Sequence, residues 1–255
     1  MLLHHLNCVQ IESPFGSAIG HCLLIENNGT LTLIDVGIGL EENREPEKKL
    51  GKELVEITGF QFDESYTAIR QIEQLGLDPN QAKNIVCSHL DPDHIGGAVD
   101  FPHARLHVSS EELDAFNQGD ERYLNYQLAY HPSIRQYEQN DSEWFGLPAR
   151  KLDLDFEAYL IPLFGHTLGH CGVAIKTDKD WLFYAGDAYY LRAELKDKNH
   201  PVDQLATIRA VDNEARLESL EKVRRLIETH GDQMTYFGYH DPEEFEWERA
   251  IETLK

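Results

Sequence analysis

The stretch His89-Leu90-Asp91-Pro92-Asp93-His94-Ile95-Gly96-Gly97 sets four potential metal ligands within six residues. It follows directly on the apolar run Asn84-Ile85-Val86-Cys87-Ser88. A short loop leaving a buried strand can aim several side chains at one point. Packing alone does not call for two imidazoles beside two carboxylates, because Asp and Glu are rarely buried unless paired or bound to a metal. The plainer reading is a solvated acidic turn that happens to hold two histidines. It is outweighed by matching residues at the ends of later apolar runs.

Those runs are regularly placed. Ala158 to Leu163 leads to Gly165-His166. Gly172 to Ile175 and Trp181 to Tyr184 flank the turn Thr177-Asp178-Lys179-Asp180, and the second run leads to Gly186-Asp187. Met234 to Phe237 leads to His240-Asp241. Rigid strands fix the roots of such loops, which is why chemistry is often placed there. His89, Asp91, Asp93, His94, His166, Asp187 and His240, carried on four loops, suit a two-metal site with carboxylate and imidazole donors and no thiolate.

Around this frame, the first forty residues read as β structure. His21 to Glu26 and Thr30 to Ile34 are joined by Asn27-Asn28-Gly29, a hairpin signal because Asn and Gly tolerate positive φ. The second run ends at Asp35-Val36-Gly37. Glu41 to Lys52 is charged without a period and reads as a surface loop. Tyr66, Ile69, Ile72 and Leu75 predict an amphipathic helix stopped by Gly76. Leu106 to Val108 reads as a strand. Phe116, Tyr123, Tyr126, Tyr130, Tyr137, Trp144 and Phe145 mark a polar, aromatic segment, read as a mainly helical insertion over residues 111–147. It would cap a substrate pocket, form a subunit contact or simply pack its aromatics. Leu217, Leu220, Val223, Leu226 and Ile227 predict a helix closed by His230-Gly231. With no repeat, low-complexity segment or long linker, residues 1–255 read as one domain.

Composition narrows the partners. An apolar content of 41% with 10% aromatics fits a globular chain. The 45 acidic residues against 23 basic ones give a net charge of −22, a field that repels phosphate backbones and argues against nucleic acid. No apolar stretch approaches the roughly 20 residues that cross a bilayer, and Met1 to Glu12 lacks the features of a signal peptide. Cys8, Cys22, Cys87 and Cys171 are scattered without a Cys-x-x-Cys pair, so the expectation is a cytoplasmic protein with reduced thiols and no membrane partner.

The chain resembles the metallo-β-lactamase superfamily, whose signature is His-x-His-x-Asp-His, then Gly-His-Thr/Ser, a bridging Asp after a strand, and a late His. The matching text is His89-Leu90-Asp91-Pro92-Asp93-His94, Gly165-His166-Thr167-Leu168-Gly169-His170, Tyr184-Ala185-Gly186-Asp187 and Gly238-Tyr239-His240-Asp241. The resemblance runs from about residue 20 to residue 241. It implies an α+β fold, an αβ/βα four-layer sandwich of two mixed sheets flanked by helices, with metals at one edge. By the same resemblance, His89, Asp91 and His166 would hold one metal, Asp93, His94 and His240 the other, and Asp187 would bridge them. His170 would support the site without binding metal.

Asp91 departs from the pattern, since most relatives carry His there. Two divalent ions, three carboxylates and one hydroxide sum formally to zero, where a His at position 91 would leave one positive charge. The extra anionic donor makes a harder, less Lewis-acidic site. Zinc remains the first expectation for the two ions, with iron or manganese more favoured than at an all-histidine site.

Several branches fit poorly. Thiolate-ligated zinc β-lactamases need Cys where Asp187 stands. Glyoxalase II carries a helical C-terminal domain, whereas fifteen residues follow His240. The tRNA-processing branch must grip RNA. The N-acyl homoserine lactonase branch fits better: its members place a Tyr three residues after the bridging Asp, as Tyr190 stands after Asp187. The resemblance then implies a hydrolase in which metal-activated hydroxide opens a lactone or cleaves an ester. Tyr190 would stabilise the oxyanion and Asp93 would pass a proton to the leaving alkoxide. The substrate would be a small molecule, and the protein a monomer or homodimer. Two rivals are a phosphodiesterase, since some DNA-uptake-associated relatives carry His-x-Asp-x-Asp-His-x-Gly-Gly, and a di-iron redox protein like the flavodiiron branch.

Overall fold

A computed structural model describes residues 1–13 and 16–245, so the single-domain expectation over 1–255 extends to positions outside the described residues. Thirteen strands form two sheets. The first contains β1 (Leu2–Ser13), β2 (Gly16–Asn27), β3 (Thr30–Ile34), β4 (Phe60–Gln61), β5 (Ala82–Val86), β6 (Arg105–Ser109) and β7 (Ser133–Tyr137) in the order β4-β1-β2-β3-β5-β6-β7. The second contains β8 (Ser142–Trp144), β9 (Leu147–Lys151), β10 (Ala158–Pro162), β11 (Cys171–Lys176), β12 (Trp181–Tyr184) and β13 (Met234–Phe237) in the order β13-β12-β11-β10-β9-β8. Both are mixed: β3, β5, β6 and β7 run parallel, as do β12 and β13, and the other pairings are antiparallel. This is the αβ/βα sandwich expected from the sequence.

Strand alternation builds the layers. Leu160, Val173 and Tyr184 of the second sheet join Leu33, Ile85 and Leu106 of the first in one buried core. Their neighbours Ile161, Ala174 and Phe183 face the other way, onto Leu220, Val223 and Leu226. Those three lie on one stripe of the longest helix, Asn213–His230, capped by the Asp212 carboxylate accepting from Ala215 N–H. The predicted hairpin is present. Asn28 (φ 48°) and Gly29 (φ 77°) both take the left-handed conformation that a tight two-residue connection requires.

The helices with both ends among the described residues are α1 (Leu40–Arg44), α2 (Pro46–Lys49), α3 (Lys52–Thr58), α4 (Ala68–Gln74), α5 (Pro92–Ile95), α6 (Ser110–Asn117), α7 (Asp203–Arg209) and α8 (Asn213–His230), and residues 242–245 are helical as well. Two expectations are corrected. The charged stretch from Glu41 to Lys52 is not a loop but α1, α2 and the start of α3. Helices of four to seven residues show no full period and rely on tertiary contacts, here the Glu42 carboxylate accepting from Gly39 N–H at 2.8 Å. The segment 111–147 is not mainly helical. After α6 comes Gly119 at φ 80°, then a 3₁₀ turn (Asn125–Leu128), His131 at φ 55° before Pro132, and strands β7 and β8. A left-handed residue and a missing backbone donor break a helix there.

The C-terminal ends of β3, β5, β10, β12 and β13 all open at one edge of the sandwich. Cys171 N–H donates to Ser88 O at 2.9 Å and ties the two sheets together there. Between β10 and His166 stands Gly165, at φ 124°, against the first turn of α8. A Cβ on it would lie 2.0 Å from Arg216 N. Val211 N–H and Asp212 N–H donate to the carbonyls of His166 and Gly165 at 3.1 and 3.0 Å. Gly165→Ala is expected to lower stability by at least about 1–3 kcal/mol, measured as a lower urea midpoint at unchanged slope.

Candidate metal centre

The seven sequence-predicted donors meet at this edge. Asp91 is the N-cap of the short helix α5, and Pro92 at its first position turns Asp93 and His94 onto adjacent faces. His89 Nε2 and His166 Nε2 lie 3.5 and 3.3 Å from Asp91 Oδ2. Asp187 reaches three imidazoles: Oδ1 is 3.4 Å from His94 Nε2, and Oδ2 is 3.3 Å from both His166 Nε2 and His240 Nε2. Asp93 Oδ2 is 4.0 Å from His94 Nε2 and 3.9 Å from His240 Nε2. Metal–ligand bonds of about 2.0–2.2 Å place neighbouring tetrahedral donors about 3.3–3.6 Å apart. The triads His89/Asp91/His166 and Asp93/His94/His240 therefore have ligand-like spacing, somewhat wider around Asp93, and His89/His94/Asp187 links them.

The chemistry of the donors fits divalent cations. His89 Nε2, His94 Nε2 and Asp187 Oδ1 are buried without a hydrogen-bond partner, an arrangement that is costly unless something cationic satisfies it. Burial and the neighbouring His94 keep the His89 imidazole well below its ordinary pKa, hence neutral. Burial pushes the Asp187 carboxyl up, but His240, His94 and His166 hold it well below the usual carboxylate range. Burial lowers the His94 and His240 imidazoles, but Asp187 beside them raises both overall, so a cation binding there would displace their protons, as metal binding to imidazole does.

Outer contacts aim the rings. His94 Nδ1 donates to Asp35 Oδ2 at 2.8 Å, and His89 Nδ1 lies 3.0 Å from Ser88 Oγ, which itself donates to Asp35 at 2.6 Å. His240 Nδ1 donates to Ile19 O at 2.9 Å. Each leaves Nε2 for the centre. Asp35 also accepts from Ser88 N–H and the Tyr184 hydroxyl, so four donors hold it. His170 uses both nitrogens elsewhere: Nδ1 donates to Leu163 O at 2.8 Å and Nε2 accepts from Asp187 N–H at 3.0 Å. It orients the Asp187 backbone and has no free donor for a metal.

Three contributors were missed from sequence. Asp35 stands out in the sequence only as the end of a strand. Glu112 is fully buried and accepts from Leu90 N–H, Thr167 Oγ1, Gly169 N–H and Tyr123 hydroxyl, stitching the His89 loop to the His166 loop. Arg122, in the turn after α6, forks onto both oxygens of Asp91. Burial pushes the Asp91 carboxyl up, yet Arg122, then His89 and His166, hold it well below the usual range. The departure at Asp91 was the available signal, since a third buried carboxylate calls for a further cation.

The fold and the clustered donors are those of a metal-dependent hydrolase. Residues 16–228 match the family model of the metallo-beta-lactamase superfamily, and the chain belongs to that superfamily, in its metal-dependent hydrolase branch. It is similar to the probable metallo-hydrolase Rv2300c of Mycobacterium tuberculosis, with 32% identity over 97% of this chain and 82% of that protein. It is also similar to the N-acyl homoserine lactonase AttM of Rhizobium radiobacter, with 26% identity over 86% of this chain and 81% of that one. Among solved structures, an N-acyl homoserine lactone hydrolase with N-hexanoyl-L-homoserine bound at its catalytic metal centre superposes with TM-score 0.76 at 19% identity, over 96% of this chain and 94% of that chain.

Asp35→Asn removes the anionic acceptor that fixes the His94 ring. Zinc affinity, measured by competition with a chromophoric chelator, is expected to fall about 10- to 100-fold.

Proposed function

We propose that this chain hydrolyses the lactone or ester bond of a small molecule at a dinuclear centre. The ligands in this reading are His89, Asp91 and His166 on one ion, Asp93, His94 and His240 on the other, and Asp187 between them. The observation that carries it is the Asp187 carboxylate, set 3.3–3.4 Å from three imidazoles of both triads. Zinc is the first candidate for both ions. When bound, such a pair lowers the pKa of water and polarises a carbonyl oxygen.

The chain's own groups would do the rest. Tyr190 is buried between the triads, its ring centroid 6.0 Å from His166 and 5.2 Å from His240. Burial and the nearby Asp187 push its phenol well above the ordinary value, so it stays a proton donor. Its backbone is held by N–H donation to Glu194 at 2.7 Å. The hydroxyl would donate to the oxyanion that develops at the scissile carbonyl. Asp93 is the most exposed carboxylate of the set, with 14% of its side chain accessible, and would carry a proton to the leaving alkoxide. The lactonases among the relatives support this substrate class.

In the same reading the protein is one domain, monomeric or homodimeric, working in the cytoplasm without nucleic acid. All four cysteines are buried and free, which suits a reducing compartment. No helix among the described residues is long and apolar enough to cross a membrane.

Asp187→Ala and His166→Ala are each expected to abolish turnover with loss of bound metal, read by elemental analysis beside kinetics. Tyr190→Phe should slow lactone turnover about 10²- to 10³-fold, the scale of losing one oxyanion donor, while metal content stays normal. A panel of lactones, esters and phosphodiesters tests the substrate class, and preferential phosphodiester cleavage would replace the lactonase reading.

A further inference from the structure

Arg122 has no part in the hydrolytic scheme, yet its side chain is only 11% exposed and lies in the centre. Its Nε and Nη2 fork onto Asp91, with Nη2 2.6 Å from Oδ2. The same Nη2 lies 2.8 Å from His166 Nε2. Nη1 donates to the backbone carbonyl of Arg209, whose own guanidinium is 3.6 Å from Asp91 Oδ2. The turn that carries Arg122 is fixed on both sides. Its backbone N–H donates to Asp120 at 2.9 Å, and the next residue, Tyr123, is buried with its hydroxyl on Glu112.

The two half-sites are therefore unequal. An imidazole Nε2 has one in-plane lone pair, which accepts a hydrogen bond or binds a metal but not both. His89 and His94 have Nε2 atoms without a hydrogen-bond partner, whereas His166 Nε2 faces an arginine N–H. A carboxylate oxygen has two lone pairs, so Asp91 can keep its arginine and still take a metal. We propose that Arg122 is a resident cation of the His89/Asp91/His166 half-site that competes with metal for His166. The half-sites then load in sequence, Asp93/His94/His240 with Asp187 first, and the Arg122-guarded half second and more weakly. The inference rests on the dinuclear reading above.

Arg122 also restores the charge that Asp91 removes. With the guanidinium counted, the loaded centre carries the one positive charge that a histidine at position 91 would have given. Asp91 and Arg122 thus act as a unit, and the arginine must slide off His166 without leaving Asp91.

The test is a zinc titration of the metal-stripped full chain against a chromophoric chelator, with folding checked by circular dichroism. The wild type is expected to bind two ions in two phases. Arg122→Gln should tighten the weaker phase about 10- to 100-fold, the scale of one competing charge-assisted hydrogen bond removed, and leave the stronger one unchanged. Arg122→Lys, which keeps the charge but loses the fork, should tighten it less. In the unsubstituted protein, imidazole nitrogen NMR should show His94 and His240 shifting with the first equivalent of zinc and His166 only with the second. A His166 shift at the first equivalent, or two equal wild-type phases, overturns the proposal while leaving the dinuclear centre standing. A wild type and variants that never exceed one zinc per chain would sink the dinuclear reading itself.

Discussion

Burying several carboxylates at one sheet edge is the constraint to which the rest of this structure answers. Asp35, Asp91, Glu112 and Asp187 are each at most 4% exposed, and an ionised carboxylate in such a place is very unfavourable unless fully partnered. Each is partnered differently. Asp35 and Glu112 are each satisfied by four donors within the protein. Asp91 has a guanidinium. Asp187 has three imidazoles around it and one oxygen without a hydrogen bond. The unmet demand is thus concentrated on the residue shared by both triads, while the scaffold carboxylates are complete.

That division separates holding from reacting. Glu112 ties together loops that leave different sheets: Leu90 follows β5, and Thr167 and Gly169 follow β10. Asp35, beyond the end of β3 at φ 51°, holds Ser88, His94 and Tyr184. The accumulated bonds make the loop geometry a property of the sandwich and leave little freedom to each loop. A donor set fixed before the cation arrives pays no ordering entropy when it binds.

The layers and the donor cluster were legible in the sequence because their signals are local or repeated. His89, Asp91, Asp93 and His94 lie within one loop, and His166, Asp187 and His240 each follow an apolar run that became a strand. The supporting residues were not legible, because their partners are remote. Asp35 meets His94 59 residues on, and Arg122 meets Asp91 31 residues back. The aromatics of 111–147 misled for a related reason. Their spacing mimics a helix face, but Tyr123 serves Glu112, Tyr126 serves Glu42 and Tyr137 serves His107. They are polar struts from successive turns and strands, and share no single face. The charged residues of α1 and α2 hid the opposite way, since helices of five and four residues leave no periodic trace.

The departure at Asp91 shows how a substitution inside a motif can be absorbed. A lone aspartate in place of a histidine would make an ion held by His89, Asp91 and His166 a weaker Lewis acid and add a buried negative charge. An arginine delivered from the turn after α6 answers both effects at once: it neutralises the carboxylate and keeps the local field as positive as before. The compensation has a consequence that histidine would not have, because a guanidinium wide enough to fork onto Asp91 also reaches His166. In the dinuclear reading, charge balance would be recovered at the expense of symmetry between the half-sites. The segment least readable as sequence thus supplies the arginine that contacts the donors most readable as sequence.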